Sequence, residues 1–127
     1  MKVLLDTNIL MAPEQLGLDV FSELERLGYL EWLVPQPVIE ELSWLSEHSK
    51  KGRDRRAARV GLGLAARCAR IPGYGEADDI LETLAVDLGA AVLTSDRELK
   101  KRLSRRGITV IYPRQSRYLE IAMQKEY

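Results

Sequence analysis

Lys2-Val3-Leu4-Leu5-Asp6-Thr7-Asn8 opens the chain with three consecutive apolar residues that run straight into an acid, a hydroxyl and an amide. So short and continuous an apolar run suits a strand buried on both faces, as in parallel sheets; a half-solvated strand would alternate. Asp6, Thr7 and Asn8 carry the side chains that stabilise a turn, so the first strand is expected to end on a carboxylate. Ala91-Val92-Leu93-Thr94 repeats the pattern, and Ser95-Asp96 then begins a basic helix that reaches Arg106 and stops at Gly107. Between these two strands, Val20, Phe21, Leu24 and Leu27 keep helical spacing from Asp19 up to Gly28. Tyr29 to Val34 reads as a strand stopped by Pro35, and Pro37 suits the first turn of a helix with Val38, Leu42 and Leu45 on its apolar side. Residues 53–70 read as helix, although Gly61 and Gly63 each weaken it by roughly 1 kcal/mol relative to alanine. After a break at residues 71–75, Glu76 to Leu88 forms a helix with Ala77, Ile80, Leu81, Leu84 and Ala85 on one face and Gly89 as terminator. Thr109 to Tyr112 is a strand, and Gln115 to Met123 is expected to form a short final helix. Strands separated by helices imply an α/β fold with a mainly parallel sheet.

A length of 127 residues fits a single domain spanning 1–127, against roughly 100 to 200 residues per domain. No apolar run approaches the roughly 18 residues of a membrane span, and the first one breaks at Asp6, too early for a signal peptide. The expectation is therefore a cytoplasmic protein without a membrane partner. Cys68, the single cysteine, allows neither an internal disulfide nor a cysteine-rich zinc site. The net charge of zero hides blocks of alternating sign. Residues 50–70 hold eight bases and one acid, Asp54, while residues 97–117 hold eight bases and one acid, Glu98. The segment between them, 71–96, holds six acids and no base. Two basic segments around an acidic one are either solvated helix faces or a surface that attracts a polyanion.

In open parallel sheets, ligands bind outside the carboxyl ends of the strands, where strand order reverses. Asp6 and Asp96 fall at such ends, Asp78 lies in the opening turn of a helix, and Glu41 comes early in the helix that follows the second strand. Four carboxylates facing one cleft would raise one another's pKa values unless a cation neutralised them. Mg²⁺ or Mn²⁺ fits an all-oxygen donor set and leaves positions open for phosphate oxygens, whereas the lone His48 offers no zinc-like set. A cation held in this way activates water and stabilises the leaving oxygen of a phosphodiester. The basic segments would hold the nucleic-acid backbone, with Arg53, Arg55, Arg56, Lys100, Lys101, Arg105 and Arg106 as the contact candidates.

Leu5-Asp6-Thr7-Asn8-Ile9-Leu10, Val34-Pro35 with Val38-Ile39-Glu40-Glu41-Leu42, Ala77-Asp78-Asp79-Ile80 and Thr94-Ser95-Asp96-Arg97-Glu98-Leu99 together resemble the ordered acidic motifs of PIN-domain nucleases. Each motif alone is short; the resemblance lies in all four, in order, across essentially the whole chain. It implies a three-layer α/β/α fold around a mainly parallel sheet of four or five strands. It also implies a metal-dependent endoribonuclease leaving 5′-phosphate and 3′-hydroxyl ends, with Asp6, Glu41, Asp78 and Asp96 matching the acidic tetrad as catalytic and metal-holding residues. Asn8, Thr94 and Asp79 would support them. Glu41 is preferred over Glu40 because it precedes Leu42, and Asp78 over Asp79 because it follows Ala77. Gly107-Ile108-Thr109-Val110-Ile111-Tyr112-Pro113-Arg114 looks closer to archaeal and ribosomal-RNA-processing PIN proteins than to toxin-type ones. The partners so implied are RNA, a second copy in a homodimer, and either an antitoxin or a ribosomal-RNA-processing factor.

Every one of these residues also has a local reading. Asp6-Thr7-Asn8 works as a plain turn, Asp96 as an N-cap, Asp78 and Asp79 as acids favoured at a helix start, and Glu41 as an exposed helix residue. Trp32, Trp44 and Tyr74 can serve packing or base stacking. Two other functions remain open: a catalytically inactive PIN-fold scaffold that binds RNA or aids ribosome assembly, and a small-molecule phosphohydrolase. The latter lacks a second aspartate two residues after Asp6, where Asn8 stands.

Overall fold

The computed structural model describes residues 1–123. Strand β1 (Lys2–Leu5) passes through Asp6 directly into helix α1 (Thr7–Leu16), followed by α2 (Val20–Arg26), β2 (Glu31–Pro35) and α3 (Gln36–His48). Next come α4 (Gly52–Ala65), β3 (Ala69–Ile71), α5 (Ala77–Leu88), β4 (Ala91–Leu93), α6 (Arg97–Arg105), β5 (Val110–Arg114) and β6 (Tyr118–Ile121). The sheet has six strands in the order β3-β2-β1-β4-β5-β6, all parallel except β6, which pairs antiparallel with β5. Strand order therefore reverses between β1 and β4, and the C-terminal ends of these two adjacent strands flank the crevice where α/β folds bind ligands.

Alternation along the strands sorts the core into two layers. Val3, Leu5, Val34, Leu93 and Ile111 point toward α1, α2, α3 and α4, while Leu4, Leu33, Val92 and Val110 meet Leu81, Ala85, Leu99 and Leu103 of α5 and α6. The result is the expected α/β/α sandwich. Its two basic segments consequently lie in opposite helical layers, α4 in one and α6 in the other. Among the described residues no helix is long and apolar enough to cross a membrane.

Four expectations are corrected. Residues Thr7–Leu16 are helix rather than turn: Asp6 caps the helix, and Pro13, which has no N–H to give to residue 9, is accommodated within it. Residues 69–71 are strand β3, not the end of a helix; α4 stops at Ala65, and pairing of Ala69 with Leu33 and of Ile71 with Pro35 imposes extended backbone on a segment of low strand propensity. The C-terminal segment forms strand β6 instead of a helix, because Gln115 and Ser116 adopt left-handed φ values of 54° and 55° and turn the chain back onto β5. Together, β3 and β6 raise the strand number above the expected four or five.

Two packing details explain sequence features that look unfavourable. Gly61 lies where α4 crosses α1 and α3: a Cβ there would stand 3.0 Å from the Leu10 carbonyl oxygen and 3.1 Å from Leu42 Cδ2. On the outer side of the sheet, Glu23 and Arg26 of α2 reach β6, Glu23 Oε1 accepting from Leu119 N–H at 2.9 Å and Arg26 Nη2 donating to Leu119 O at 2.8 Å. The pair thus saturates the outward backbone groups of Leu119 as a seventh strand would.

Candidate active site

Asp6 is only 7% exposed at the end of β1, where its own N–H donates to Leu93 O of β4 at 3.1 Å. Its Oδ1 accepts from Thr7 N–H at 2.7 Å, and its Oδ2 accepts from the Thr94 hydroxyl at 2.8 Å. Thr94 is fully buried at the end of β4, and its Oγ1 also accepts from Asp96 N–H at 3.1 Å. One hydroxyl therefore ties the ends of both central strands together and fixes the backbone that presents Asp96. Asp96 Oδ1 accepts from the N–H groups of Glu98 and Leu99 at 2.9 and 3.1 Å, capping α6. Glu41, exposed on the second turn of α3, accepts at Oε2 from the Thr7 hydroxyl at 2.8 Å. Thr7 thus links α1 to α3 across the mouth of the crevice.

The charges interact across this mouth. Burial pushes the Asp6 carboxyl above the usual carboxylate range; the bonds from Thr94 and Thr7 pull it back, and the charges of Asp78 and Glu41 push it up again. Asp78, in the first turn of α5, is raised by burial and by the charge of Asp96, with Arg102 opposing and Glu41 and Asp79 adding to the rise. Asp6, Glu41, Asp78 and Asp96 are thus brought to one edge of the sheet, close enough to sense one another's ionisation. Among the described residues, no three of His, Cys, Asp or Glu form a ready-made ligating cluster, so these acids meet as charges without closing into a ligand shell. Their donor chemistry, all oxygen with excess negative charge, fits a hard divalent cation better than a soft one.

The remaining candidates divide. Asn8 is exposed on the first turn of α1. Asp79 turns to Arg102, 2.6 Å away. Glu82, buried in α5, accepts from Arg102 and from Arg106, which commits Arg106 to docking α6 on α5. Arg55 donates to the carbonyl oxygens of Ser49 and Lys50 and holds the turn before α4. Arg53 and Arg56 line a cavity shared with Glu14 and Asp54. Lys100 lies over the Tyr112 ring at 4.2 Å, Lys101 is 3.9 Å from Glu98, and Arg105 is exposed. Starting at the residue after Asp96, a cavity of about 530 Å³ is lined by Arg97, Lys100, Lys101, Tyr112, Arg114 and Glu120. Cys68 behaves as packing, its thiol pushed up by burial to about 11.

Sequence reasoning missed Thr7 as a site residue because a threonine beside Asp6 and Asn8 is explained by a turn alone. The available signal was its place at the first position after the strand-end acid.

A doubly wound sheet with acids gathered at its strand-order reversal defines a class of proteins whose chemistry lies on that edge. Residues 3–116 match the model of the PIN-like domain family, and the chain belongs to that family. It is 35% identical over 107 residues to Ribonuclease VapC9 of Archaeoglobus fulgidus, a match covering 84% of this chain and 78% of that relative. The structure of the PIN domain endonuclease Utp24 matches with a TM-score of 0.75 at 24% identity, covering 94% of this chain and 90% of the other. VapBC2 from Rickettsia felis, bound to a DNA fragment from its promoter, matches at 0.62 with 17% identity over 88% of this chain and 98% of that one. At such identities the two structural likenesses are likenesses of fold.

Proposed function

We propose that residues 1–127 form one endoribonuclease domain that hydrolyses RNA phosphodiester bonds with Mg²⁺ or Mn²⁺ held by Asp6, Glu41, Asp78 and Asp96. The observation that carries this reading is the Thr94 hydroxyl, which donates to Asp6 and accepts from the Asp96 backbone, so that two of the acids are positioned by one buried group at the strand-order reversal. Family membership and the relative named a ribonuclease support it. A bound divalent cation supplies charge neutralisation at the phosphate and a lowered pKa for the attacking water.

The chain's own residues supply the positioning. Asp6 is held by two donors, Glu41 is oriented by Thr7, and Asp96 is fixed by its cap on α6. In the reaction, the water oxygen attacks phosphorus, the bond to the 3′-oxygen breaks, and that oxygen takes a proton, leaving a 5′-phosphate and a 3′-hydroxyl. Lys100, Lys101 and Arg105 on α6 and Arg53 and Arg56 on α4 are the phosphate contacts, one set in each helical layer. Arg55 and Arg106 act on the protein instead, through the bonds described above. A cytoplasmic setting, with either an antitoxin or a ribosomal-RNA-processing factor as partner, is compatible with this chemistry.

Incubating single-stranded RNA with the protein in Mg²⁺, in Mn²⁺ and in EDTA tests the reading. Products bearing 5′-phosphate should form with metal and vanish with chelator; RNA binding without products in either metal would move the assignment to a non-catalytic scaffold. Thr7→Val keeps the β-branched shape at the start of α1 while deleting the hydroxyl that orients Glu41. It is expected to lower kcat/KM by about 10- to 100-fold, the range for removing a partner of a metal-holding side chain. The accompanying loss of stability should be only about 1 kcal/mol, measured by chemical denaturation.

A further inference from the structure

The two tryptophans are used in opposite ways. Trp32 packs on Phe21 with ring centroids 4.4 Å apart, donates its Nε1–H to Tyr29 O and lies near the Arg67 guanidinium. Trp44 is 58% exposed on α3, where its ring stacks on His48 at 4.8 Å and an interplanar angle of 17°. An indole left in water beside a parallel ring is a ready surface for a third flat ring, and base–aromatic stacking needs no particular base.

Its position says which ring. Glu41, Trp44 and His48 are spaced by three and four residues, so they share one face of α3. Glu41 belongs to the acidic edge, and His48 stands on the order of 10 Å further along the helix axis. Beyond His48, exposed Lys50 and Lys51 open the basic segment, in a turn whose carbonyl oxygens are held by Arg55. One helix face therefore runs from carboxylate to stacked aromatics to cations. A polynucleotide strand needs the same order: a phosphate at the acids, a base on the rings and the next phosphates at the lysines.

We propose that the Trp44–His48 pair is a base-stacking subsite that holds an unpaired nucleobase of single-stranded RNA next to the acidic site. This rests on the endoribonuclease reading for the identity of the polymer. Duplex RNA, whose bases are already stacked, has no ring to offer and is excluded from the subsite.

The test measures binding in EDTA, where no cleavage occurs, by anisotropy of a labelled oligoadenylate with wild type, Trp44→Ala and Trp44→Phe. Because Trp44 is exposed, neither substitution removes core packing. Trp44→Ala should weaken oligoadenylate binding by about five- to one-hundred-fold, the range for one stacked base. Trp44→Phe should retain most of the affinity, and binding of inorganic polyphosphate should be the same in all three proteins. Equal oligoadenylate affinity in wild type and Trp44→Ala would overturn the subsite. So would a parallel loss for polyphosphate, or sedimentation showing that Trp44 is covered by a second copy that Trp44→Ala releases. The two readings fail separately: metal-dependent cleavage with no Trp44 effect keeps the nuclease and removes the subsite, whereas Trp44-dependent binding without cleavage does the reverse.

Discussion

Asp6→Asn should abolish RNA cleavage and yet leave the metal-free protein at least as stable as wild type at neutral pH. Removing a mere partner of a metal-holding residue costs about 10- to 100-fold, so losing the charge of the most buried of the four acids should cost at least about 100-fold in kcat/KM. The stability forecast follows from the raised pKa of Asp6. A carboxylate whose folded pKa exceeds its unfolded value contributes stability below the unfolded value, and that contribution is lost as pH rises through the folded one. At neutral pH, ionised Asp6 is therefore a net cost that asparagine removes. The amide oxygen can still accept from Thr7 N–H, and the Thr94 hydroxyl can accept from the new amide N–H in place of donating. Thermal melts of both proteins in EDTA should show the variant's advantage at pH 7 shrinking as pH falls toward the ordinary aspartate value of 3.8. Added Mg²⁺ or Mn²⁺ should raise the wild-type Tm more than the variant's, since a ligand stabilises only the state that binds it. A variant that cuts RNA like wild type, or responds equally to metal, would remove Asp6 from the site.

The second large effect is a change of sign between two glycines of one helix. Gly61→Ala should destabilise the protein and Gly63→Ala should stabilise it. Alanine is worth roughly 1 kcal/mol over glycine in a helix interior, so propensity alone favours both changes. At Gly63 a Cβ meets nothing within 4 Å, and that gain should appear nearly whole. At Gly61 the nearest atom, 3.0 Å away, is the backbone oxygen of Leu10, which cannot rotate aside as a side chain could. Making room means sliding α4 off α1, and overpacking of this kind costs about 1–3 kcal/mol. Urea denaturation at constant m-value gives both numbers, and a stabilising Gly61→Ala would show that the α1–α4 contact is soft.

How far the sequence discloses the molecule depends on how local each signal is. The two central strands were legible because Val3-Leu4-Leu5 and Ala91-Val92-Leu93 are uninterrupted apolar runs ending at acids, which fits strands buried on both faces. The helices at 20–26, 36–48, 77–88 and 97–105 announced themselves by periodicity and by caps such as Asp19 and Asp96. Helix α1 did not, because Asp6-Thr7-Asn8 is also good turn chemistry and Pro13 normally breaks a helix; burial of Ile9, Leu10, Met11 and Ala12 overrode both. β3 and β6 are edge strands whose extended form comes from a neighbour rather than from their own residues. The four candidate acids could be proposed from their positions relative to strand ends and helix starts, with the choice of Glu41 over Glu40 and of Asp78 over Asp79 taken from the family resemblance. The hydroxyls that orient them could be named only halfway: Thr94 came with its motif, while the partnership of Thr7 with Glu41 spans 34 positions and needs the packing of α1 on α3.

The grip of Glu23 and Arg26 on Leu119 also limits how this molecule can meet others. With that backbone already occupied, an incoming extended segment finds no row of vacant amides there, and the opposite margin is a three-residue ribbon closed off by Pro72. Growth of the sheet from one copy into the next is thereby discouraged on both sides. Among the described residues, that leaves the helical layers, which also carry both basic segments, as the surfaces open to assembly.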